Sequence, residues 1–144
     1  MASKLYGSLI AKAFNKEVDF DTDTIKVALL TSVYAPNQDI HDYFDDVVAT
    51  EVVGTGYTAG GQALTTKTVT YEPGTNVTIL DAADVTWAAS TITARYAVVY
   101  SDAGAGNALK VLLGYVDFGS DQSSTSGNFT ITWDATGIFR FTVA

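Results

Sequence analysis

The sequence TITARYAVVYSD, residues 91–102, indicates the fold class better than any other stretch of the chain. Its residues alternate between two predicted faces, the first with Ile92, Ala94, Tyr96, Val98 and Tyr100 and the second with Thr93, Arg95, Ala97 and Val99. Successive side chains of a β-strand point to opposite sides of the sheet. The stretch therefore predicts a strand that is half-buried or nearly buried, with one charge, Arg95, in its middle.

The same period of two continues through most of the chain. Strands are predicted at residues 25–31 and 47–53, and from Gln62 onward at 62–72, 75–87, 108–118, 127–134 and 136–144. Clusters of turn residues separate them at 73–74, 104–107 and 119–127. Short strands at this spacing predict an all-β fold, an antiparallel β-sandwich or a barrel, in a single domain over residues 1–144.

One or two short helices are predicted in the N-terminal third. Residues 4–14 have near-helical apolar spacing behind Ser3, although Gly7 weakens the pattern. Asp39 could cap a helix of one or two turns that carries Ile40, Tyr43 and Phe44. The segment 54–61, GTGYTAGG, is predicted to be a flexible loop.

Composition excludes several classes of function. The chain of 144 residues has 8 basic and 16 acidic residues, a net charge of −8 and no cysteine. Nucleic-acid binding needs clustered cations, and anionic membranes repel an acidic surface, so we expect neither partner. Disulfides, thiolate metal sites and cysteine nucleophiles are also excluded.

The candidate chemical motifs are weak. GTGYTA, residues 54–59, matches a dinucleotide fingerprint in form, but a Thr-rich strand follows it where a phosphate-binding helix is needed. His41 is the one histidine, and the sequence has no nucleophile elbow whose serine it could activate as a general base. Two acidic clusters, at 19–23 and 39–46, offer oxygen ligands for calcium without an EF-hand pattern, and solvated turns are the expected alternative. We therefore predict no catalytic residues, cofactor or metal site, and a protein that is not an enzyme.

Arg95 is the most informative single charge. An unpaired charge in a central strand is costly, so the guanidinium needs a carboxylate, and Asp84, Asp102 and Asp117 are the candidates. The partner could lie within the subunit, which we favour, or across a subunit interface. Arg140 in the C-terminal strand presents the same choice.

The chain resembles small virion proteins of tailed bacteriophages over most of its length. The resemblance is carried by four segments, IKVALLTSVYAPNQDIHDYFDDV at 25–47, VVGTGYTAGGQALTTKTVTYE at 52–72, DVTWAASTITARYAVVYSD at 84–102 and LLGYVDFGSDQSSTSGNFTITWDATGIFRFTVA at 112–144. It implies a jelly-roll-like β-sandwich that acts as a capsid cement or decoration protein on the outer capsid surface of the virion. The implied partners are the major capsid protein and further copies of the chain, as a homotrimer.

Contacts with the shell or within the trimer are expected in the segments 34–46, 54–61 and 119–127. Two alternatives remain open. The first is a tail, neck or head-fibre component. The second is a carbohydrate-binding module on the particle surface, with Tyr34, Tyr43, Tyr57 and Trp87 as stacking faces.

Overall fold

Antiparallel β-strands form most of the structure, a computed structural model that describes residues 2–143. The helix α1 spans Leu9–Phe14. The strands are β1 (Ala2–Leu5), β2 (Ile25–Leu30), β3 (Gln62–Ala63), β4 (Thr68–Glu72), β5 (Val77–Asp81), β6 (Val85–Ser101), β7 (Leu112–Ile131) and β8 (Phe139–Thr142). A five-stranded sheet has the order β1-β7-β6-β2-β3, and a three-stranded sheet has the order β4-β5-β8. The all-β prediction is confirmed, whereas the sandwich topology stays a prediction.

The N-terminal helix is shorter than predicted. Ser8 precedes the first helical residue, and the predicted start behind Ser3 is wrong because residues 2–5 form β1 and pair with β7. Gly7 marks the change from strand to helix, and its N–H donates to the carbonyl of Gln38 at 2.8 Å. A four-residue segment is too short for its apolar spacing to distinguish a helix from a strand, so pairing with β7 decides its structure.

The prediction for residues 34–53 is partly wrong. Two 3₁₀ turns, Phe44–Asp46 and Val48–Thr50, replace the helix capped by Asp39 and the strand at 47–53. Glu51 makes an isolated bridge to Leu30, the last residue of β2. The segment instead covers one face of the five-stranded sheet, with Phe44 and Val47 buried there. Burial of these side chains, rather than strand pairing, accounts for its apolar residues.

The long hairpin of β6 and β7 is the frame of the five-stranded sheet. β7 runs without interruption through residues 119–127, so the turn cluster predicted there is wrong. Register shifts accommodate the turn-forming residues, and Gly119 and Ser126 take left-handed φ angles of 82° and 46° within the strand. Bulges allow such residues to remain in a ladder, which explains why their composition suggested a turn.

The predicted alternation of β6 holds on each side of Arg95 but not across it. Ile92 and Ala94 share a core with Ala97 and Val99, whereas Val98 and its neighbours Tyr96 and Tyr100 face the opposite side. The register explains the change, because Ala94 pairs with Gln122 while Tyr96 pairs with Asp117, so one residue of β6 faces four of β7. A bulge of this kind shifts the phase of the side chains.

Two apolar cores lie on the two faces of the five-stranded sheet. The larger core joins this sheet to the three-stranded sheet, with Trp87, Leu113 and Phe139 among its buried residues. The smaller core lies under residues 34–47, with Tyr6 and Tyr100 at its centre. The 97–101 end of β6 is therefore buried on both faces, in line with the prediction of a nearly buried strand at 91–102.

Candidate interaction surface

An open apolar groove lies between α1 and the three-stranded sheet. It has a volume of about 550 Å³, and its walls include Leu9, Ile10, Ala13, Val69, Leu80 and Phe141. Large apolar side chains on α1, on β4 and beside β8 are exposed to solvent. Ile10 and Val69 line the groove, and Phe14, Tyr71 and Val143 lie on or beside the elements that border it. We call these five residues the α1 apolar surface.

The three-stranded sheet contributes to this surface because its apolar face extends beyond the core. Val69 pairs with Leu80, which pairs with Phe139, and these two partners are buried. The next row on the same face runs from Tyr71 through Thr78 to Phe141. Side chains two residues apart in a strand share a face, so this second row continues the apolar face into solvent. Tyr71 is 50% exposed there.

α1 contributes because it is apolar on two sides. Leu9 packs into the larger core, while Ile10 and Phe14 are 43% and 85% exposed. Residues four apart on a helix lie on the same side, so Ile10 and Phe14 form one exposed apolar edge. Exposed apolar residues that lie together, rather than singly, are the ones that mark contact sites on a protein surface.

Lys12 holds α1 in place beside the groove. Its ammonium lies 3.3 Å from the Asp42 carboxylate, 3.7 Å from that of Glu17 and 3.7 Å from the centre of the Tyr43 ring. Burial lowers the pKa of Lys12, but the hydrogen bonds and charges of Tyr43 and Asp42 outweigh burial, so the pKa is raised overall. The charged form is therefore stabilised where it fastens α1 to the segment 42–46.

The acidic cluster at 19–23 closes a turn near the groove. The Asp19 carboxylate accepts the N–H groups of Asp21 and Thr22, and the Asp23 carboxylate accepts the N–H of Asp19 at 2.9 Å. The hydrogen bonds from Thr22 lower the pKa of Asp19. In the second cluster, the Asp46 carboxylate accepts the Asp42 N–H. Among residues 2–143, no group of three or more His, Asp or Glu side chains is placed to hold a metal ion.

The glycine-rich segment 54–61 is packed against the sheet rather than free. Thr55 forms a bridge with Thr91, and the Tyr57 ring stacks on Trp87 with 6.0 Å between ring centres. Gly61 has a φ of 76°, and a Cβ there would lie 1.8 Å from the Val27 carbonyl oxygen. The glycines serve close backbone contact with β2 and β6. The segment is therefore a loop, as predicted, but one that is packed against the sheet, and it has no helix after it to bind a phosphate.

His41 ends a chain of hydrogen bonds that starts in the smaller core. The Tyr6 and Tyr34 hydroxyls are 2.7 Å apart, and the Tyr34 hydroxyl lies 3.0 Å from His41 Nδ1. Burial is the main cause that raises the pKa of Tyr6 beyond its usual range and that of Tyr34 to about 12. The Asn37 N–H also donates to Nδ1, at 3.3 Å. Two donors thus occupy this nitrogen, and the contacts of His41 are those of a structural residue.

The four aromatic residues considered for carbohydrate stacking are not brought together on the surface. Trp87 and Tyr34 are 1% and 4% exposed. Tyr43 lies under the Lys12 ammonium, and the Tyr57 hydroxyl is held by Glu51 at 2.6 Å. A sugar needs an open ring face on which to stack, and this set does not supply one.

Arg95 has its partner within the chain. Its Nε lies 2.9 Å from Asp117 Oδ1, at the bulge of the β6–β7 hairpin, so the preference for a partner inside the subunit is confirmed. Asp84 instead accepts the Trp133 N–H, and Asp102 binds the ammonium groups of Lys26 and Lys110 at 2.7 and 2.6 Å.

Arg140 differs from Arg95. Its guanidinium donates to the Thr136 carbonyl at 3.4 Å, and no carboxylate of residues 2–143 forms an ion pair with it. It lies on the exposed side of β8. Its charge remains available to a partner.

The α1 apolar surface was not predicted from the sequence. Its residues belong to three separate segments, and each is an ordinary apolar position of a strand or a helix when taken alone. The one local signal was Phe14, at the end of an amphipathic stretch and on the side opposite to Leu9. Only the fold sets α1, β4 and β8 around one groove.

Comparisons with protein-family models, with curated proteins and with solved structures each gave no match for this chain. Among the helices of residues 2–143, none is long and apolar enough to cross a bilayer.

Proposed function

We propose that the chain is a structural protein of a tailed-bacteriophage virion, a capsid cement or decoration protein on the outer capsid surface. The observation that most supports this proposal is the α1 apolar surface, where five large apolar side chains are exposed on a chain of net charge −8. Exposed apolar and aromatic patches of this kind are typical of contacts between proteins. In this proposal the protein is not an enzyme and its chemistry is binding alone.

The proposal includes a fold, a jelly-roll-like sandwich, and an assembly, a homotrimer. The two antiparallel sheets would be the layers of a jelly-roll-like sandwich, and three copies would associate as a homotrimer. Symmetric copies present the same surface, so apolar contacts repeat around the axis. Sedimentation of the isolated protein tests the trimer, for which we expect three times the chain mass of 15.2 kDa.

The mechanism of stabilisation follows from mass action. A protein that binds the assembled shell of the major capsid protein, but not its dispersed subunits, shifts the equilibrium towards the shell. The acidic surface would favour contact with basic regions of the shell and set the orientation of docking. Stabilised shells should therefore release their contents at a higher temperature when the protein is bound.

The direct test is binding to shells of the phage that encodes the chain. Replacing Phe14 by Gln retains a good helix former and removes an exposed aromatic ring from α1. Loss of a buried phenylalanine contact corresponds to about 1.5–3 kcal/mol, so we expect shell binding about ten- to a hundred-fold weaker. Leu109→Gln is the matched control, since Leu109 is 60% exposed and lies outside the α1 apolar surface. Equal binding by both variants would refute the assigned surface, and an absence of binding by the wild type would refute the function.

A tail, neck or head-fibre component is the second candidate, because an exposed apolar surface serves any protein assembly. Position in the virion separates the two. Density over the whole head supports a cement protein, whereas density only at the neck or tail supports the alternative. The carbohydrate-binding hypothesis has less support, since Trp87 and Tyr34 are buried.

A further inference from the structure

The outer edge of β1 has unpaired backbone groups. β1 is the first strand of the five-stranded sheet and, among residues 2–143, pairs only with β7. The Tyr6 N–H donates to the Leu113 carbonyl at 3.0 Å, which continues the register of Leu5 with Gly114. Hydrogen-bonded and non-hydrogen-bonded pairs alternate in an antiparallel ladder. Lys4 therefore bonds to β7, whereas the N–H and C=O groups of Ser3 and Leu5 point away from it.

These outward groups face a groove rather than flat surface. The groove has a volume of about 640 Å³, with Ser3 to Leu5 on one wall and residues 134–140 on the other. The second wall includes Arg140 of β8, the edge strand of the three-stranded sheet. The Phe139 ring packs so closely on β7 that a Cβ on Gly114 would lie 2.5 Å from it, which places β8 beside β1.

Within residues 2–143, no backbone group pairs with Ser3 or Leu5 from the groove side. Four residues of strand span about 13 Å at about 3.3 Å each, so β1 offers an edge of that length. Proteins commonly protect exposed edges by covering them or by placing charges on them, because an open edge is a template for another strand.

The charges of the groove indicate what kind of strand would fit. Lys4 lies on one wall and Arg140 on the other, and neither forms an ion pair with a carboxylate of residues 2–143. Asp134, the acid that lines the groove, is engaged by the N–H and hydroxyl of Thr136 at 2.9 and 2.7 Å. The hydrogen bonds from Thr136 and then the charge of Arg140 lower the pKa of Asp134, so this acid offsets part of the positive charge. Two cations still outnumber one acid in the lining, and an excess of positive charge in a chain of net charge −8 favours an anionic occupant.

We infer that the groove beside β1 binds an extended acidic segment of another protein, which adds to the five-stranded sheet as a sixth strand. The outward groups of Ser3 and Leu5 supply the backbone hydrogen bonds, and Lys4 and Arg140 bind carboxylates of the segment. Main-chain bonds provide affinity and alternate side chains provide specificity in this mode of recognition. The inference does not depend on a capsid partner, because its evidence lies in the free edge and its charges.

A peptide of alternating glutamate and threonine is the probe, and its counterpart with lysine in place of glutamate is the control. In NMR titrations of the full chain, we expect the glutamate peptide to shift and protect the amides of Ser3 and Leu5. We expect the lysine peptide to bind at least tenfold more weakly. Equal binding of the two peptides, or shifts confined to residues away from the groove, would overturn the inference.

Two variants complete the test. Ser3→Pro removes an N–H that points into the groove without removing a bond to β7, and it should abolish binding of the glutamate peptide. Lys4→Glu keeps the backbone unchanged and should weaken binding of the glutamate peptide at least tenfold. Unchanged binding in Lys4→Glu would refute the role of charge. If Ser3→Pro instead converts the isolated protein from an oligomer to a smaller species, the edge is used by a second copy, and the inference of a foreign segment is wrong.

Discussion

Replacing Tyr57 by Phe tests whether the segment 54–61 is part of the folded core or a free binding loop. The Tyr57 hydroxyl accepts the Leu29 N–H at 3.0 Å and donates to Glu51 Oε1 at 2.6 Å. Leu29 is fully buried, so phenylalanine leaves its N–H without a partner. Burial, and then the hydrogen bond to Glu51, raise the pKa of Tyr57 far above its usual value, so the hydroxyl stays protonated and donates to Glu51.

The expected loss of stability in Tyr57→Phe follows from these hydrogen bonds. An unsatisfied buried N–H costs about 1–3 kcal/mol. Glu51 loses one strong bond but keeps the Gly60 N–H at 2.6 Å, so we expect a total loss of about 2–3 kcal/mol in the free energy of unfolding. At about 2–4 °C per kcal/mol for a chain near this size, the melting temperature should fall by about 4–12 °C.

Urea titration followed by tryptophan fluorescence measures this loss, because Trp87 and Trp133 are both buried. The control is Tyr71→Phe, whose hydroxyl bonds to Asn76 at the surface and whose loss should change stability by less than about 0.5 kcal/mol. The slope with urea should stay unchanged in both variants. A Tyr57→Phe protein as stable as the Tyr71→Phe control would refute the structural role of the segment.

Three further predictions concern backbone conformation and pH. Gly61→Ala should lower the free energy of unfolding by about 3 kcal/mol or more in urea titration, whereas Gly74→Ala, which meets open space, should change it by less than about 0.5 kcal/mol. Because folding raises the tyrosine pKa values, the stability that these side chains contribute is complete below pH 10 and is lost as the pH rises through the folded-state values, about 12 for Tyr34. Tyrosinate absorbance and unfolding should therefore rise together above pH 10. A single ionisation step near pH 10 with the fold intact would contradict this prediction. The tyrosines concerned are Tyr6, Tyr34, Tyr57, Tyr100 and Tyr115. The hydrogen bond from Arg95 lowers the pKa of Asp117, so the stability that the Asp117 carboxylate contributes is present above the unfolded value of about 3.9 and is lost on further acidification. Asp117→Asn should therefore make the loss of stability below pH 4 less steep than in the wild type.

The strands that carry a clear period of two were predictable, and the strands fixed by distant partners were not. β2 matches its predicted segment within one residue, because five of its six residues are apolar and two of them, Ile25 and Val27, are β-branched. β1 was missed because its four residues are exposed or partly exposed and take their structure from β7. Residues 119–127 were missed for the opposite reason, since bulges keep turn-forming residues paired with β6.

The functional surface was less predictable than the fold. The sequence indicated that Arg95 needs an acid and included Asp117 among three candidates, but the choice among them depends on the register of the hairpin. The α1 apolar surface depends on how a helix of six residues lies against a sheet built from residues 68–81 and 139–142. The spacing of residues in the sequence does not predict such a placement.

The bulge at Arg95 has a consequence for how the chain tolerates changes in length. Removing Arg95 alone would leave Ala94 and Tyr96 adjacent and on opposite faces, so Ala94 and Ala97 would both stay in the larger core and the strand would lose only the bulge and the ion pair with Asp117. Residues 118–121 of β7 already stand opposite a single residue, so shortening or lengthening them leaves both ladders in phase. Natural insertions and deletions in related chains should therefore avoid the paired residues on each side of the bulge and collect at Arg95 and at residues 118–121. A peptide tag placed at residues 118–121 should leave both cores intact.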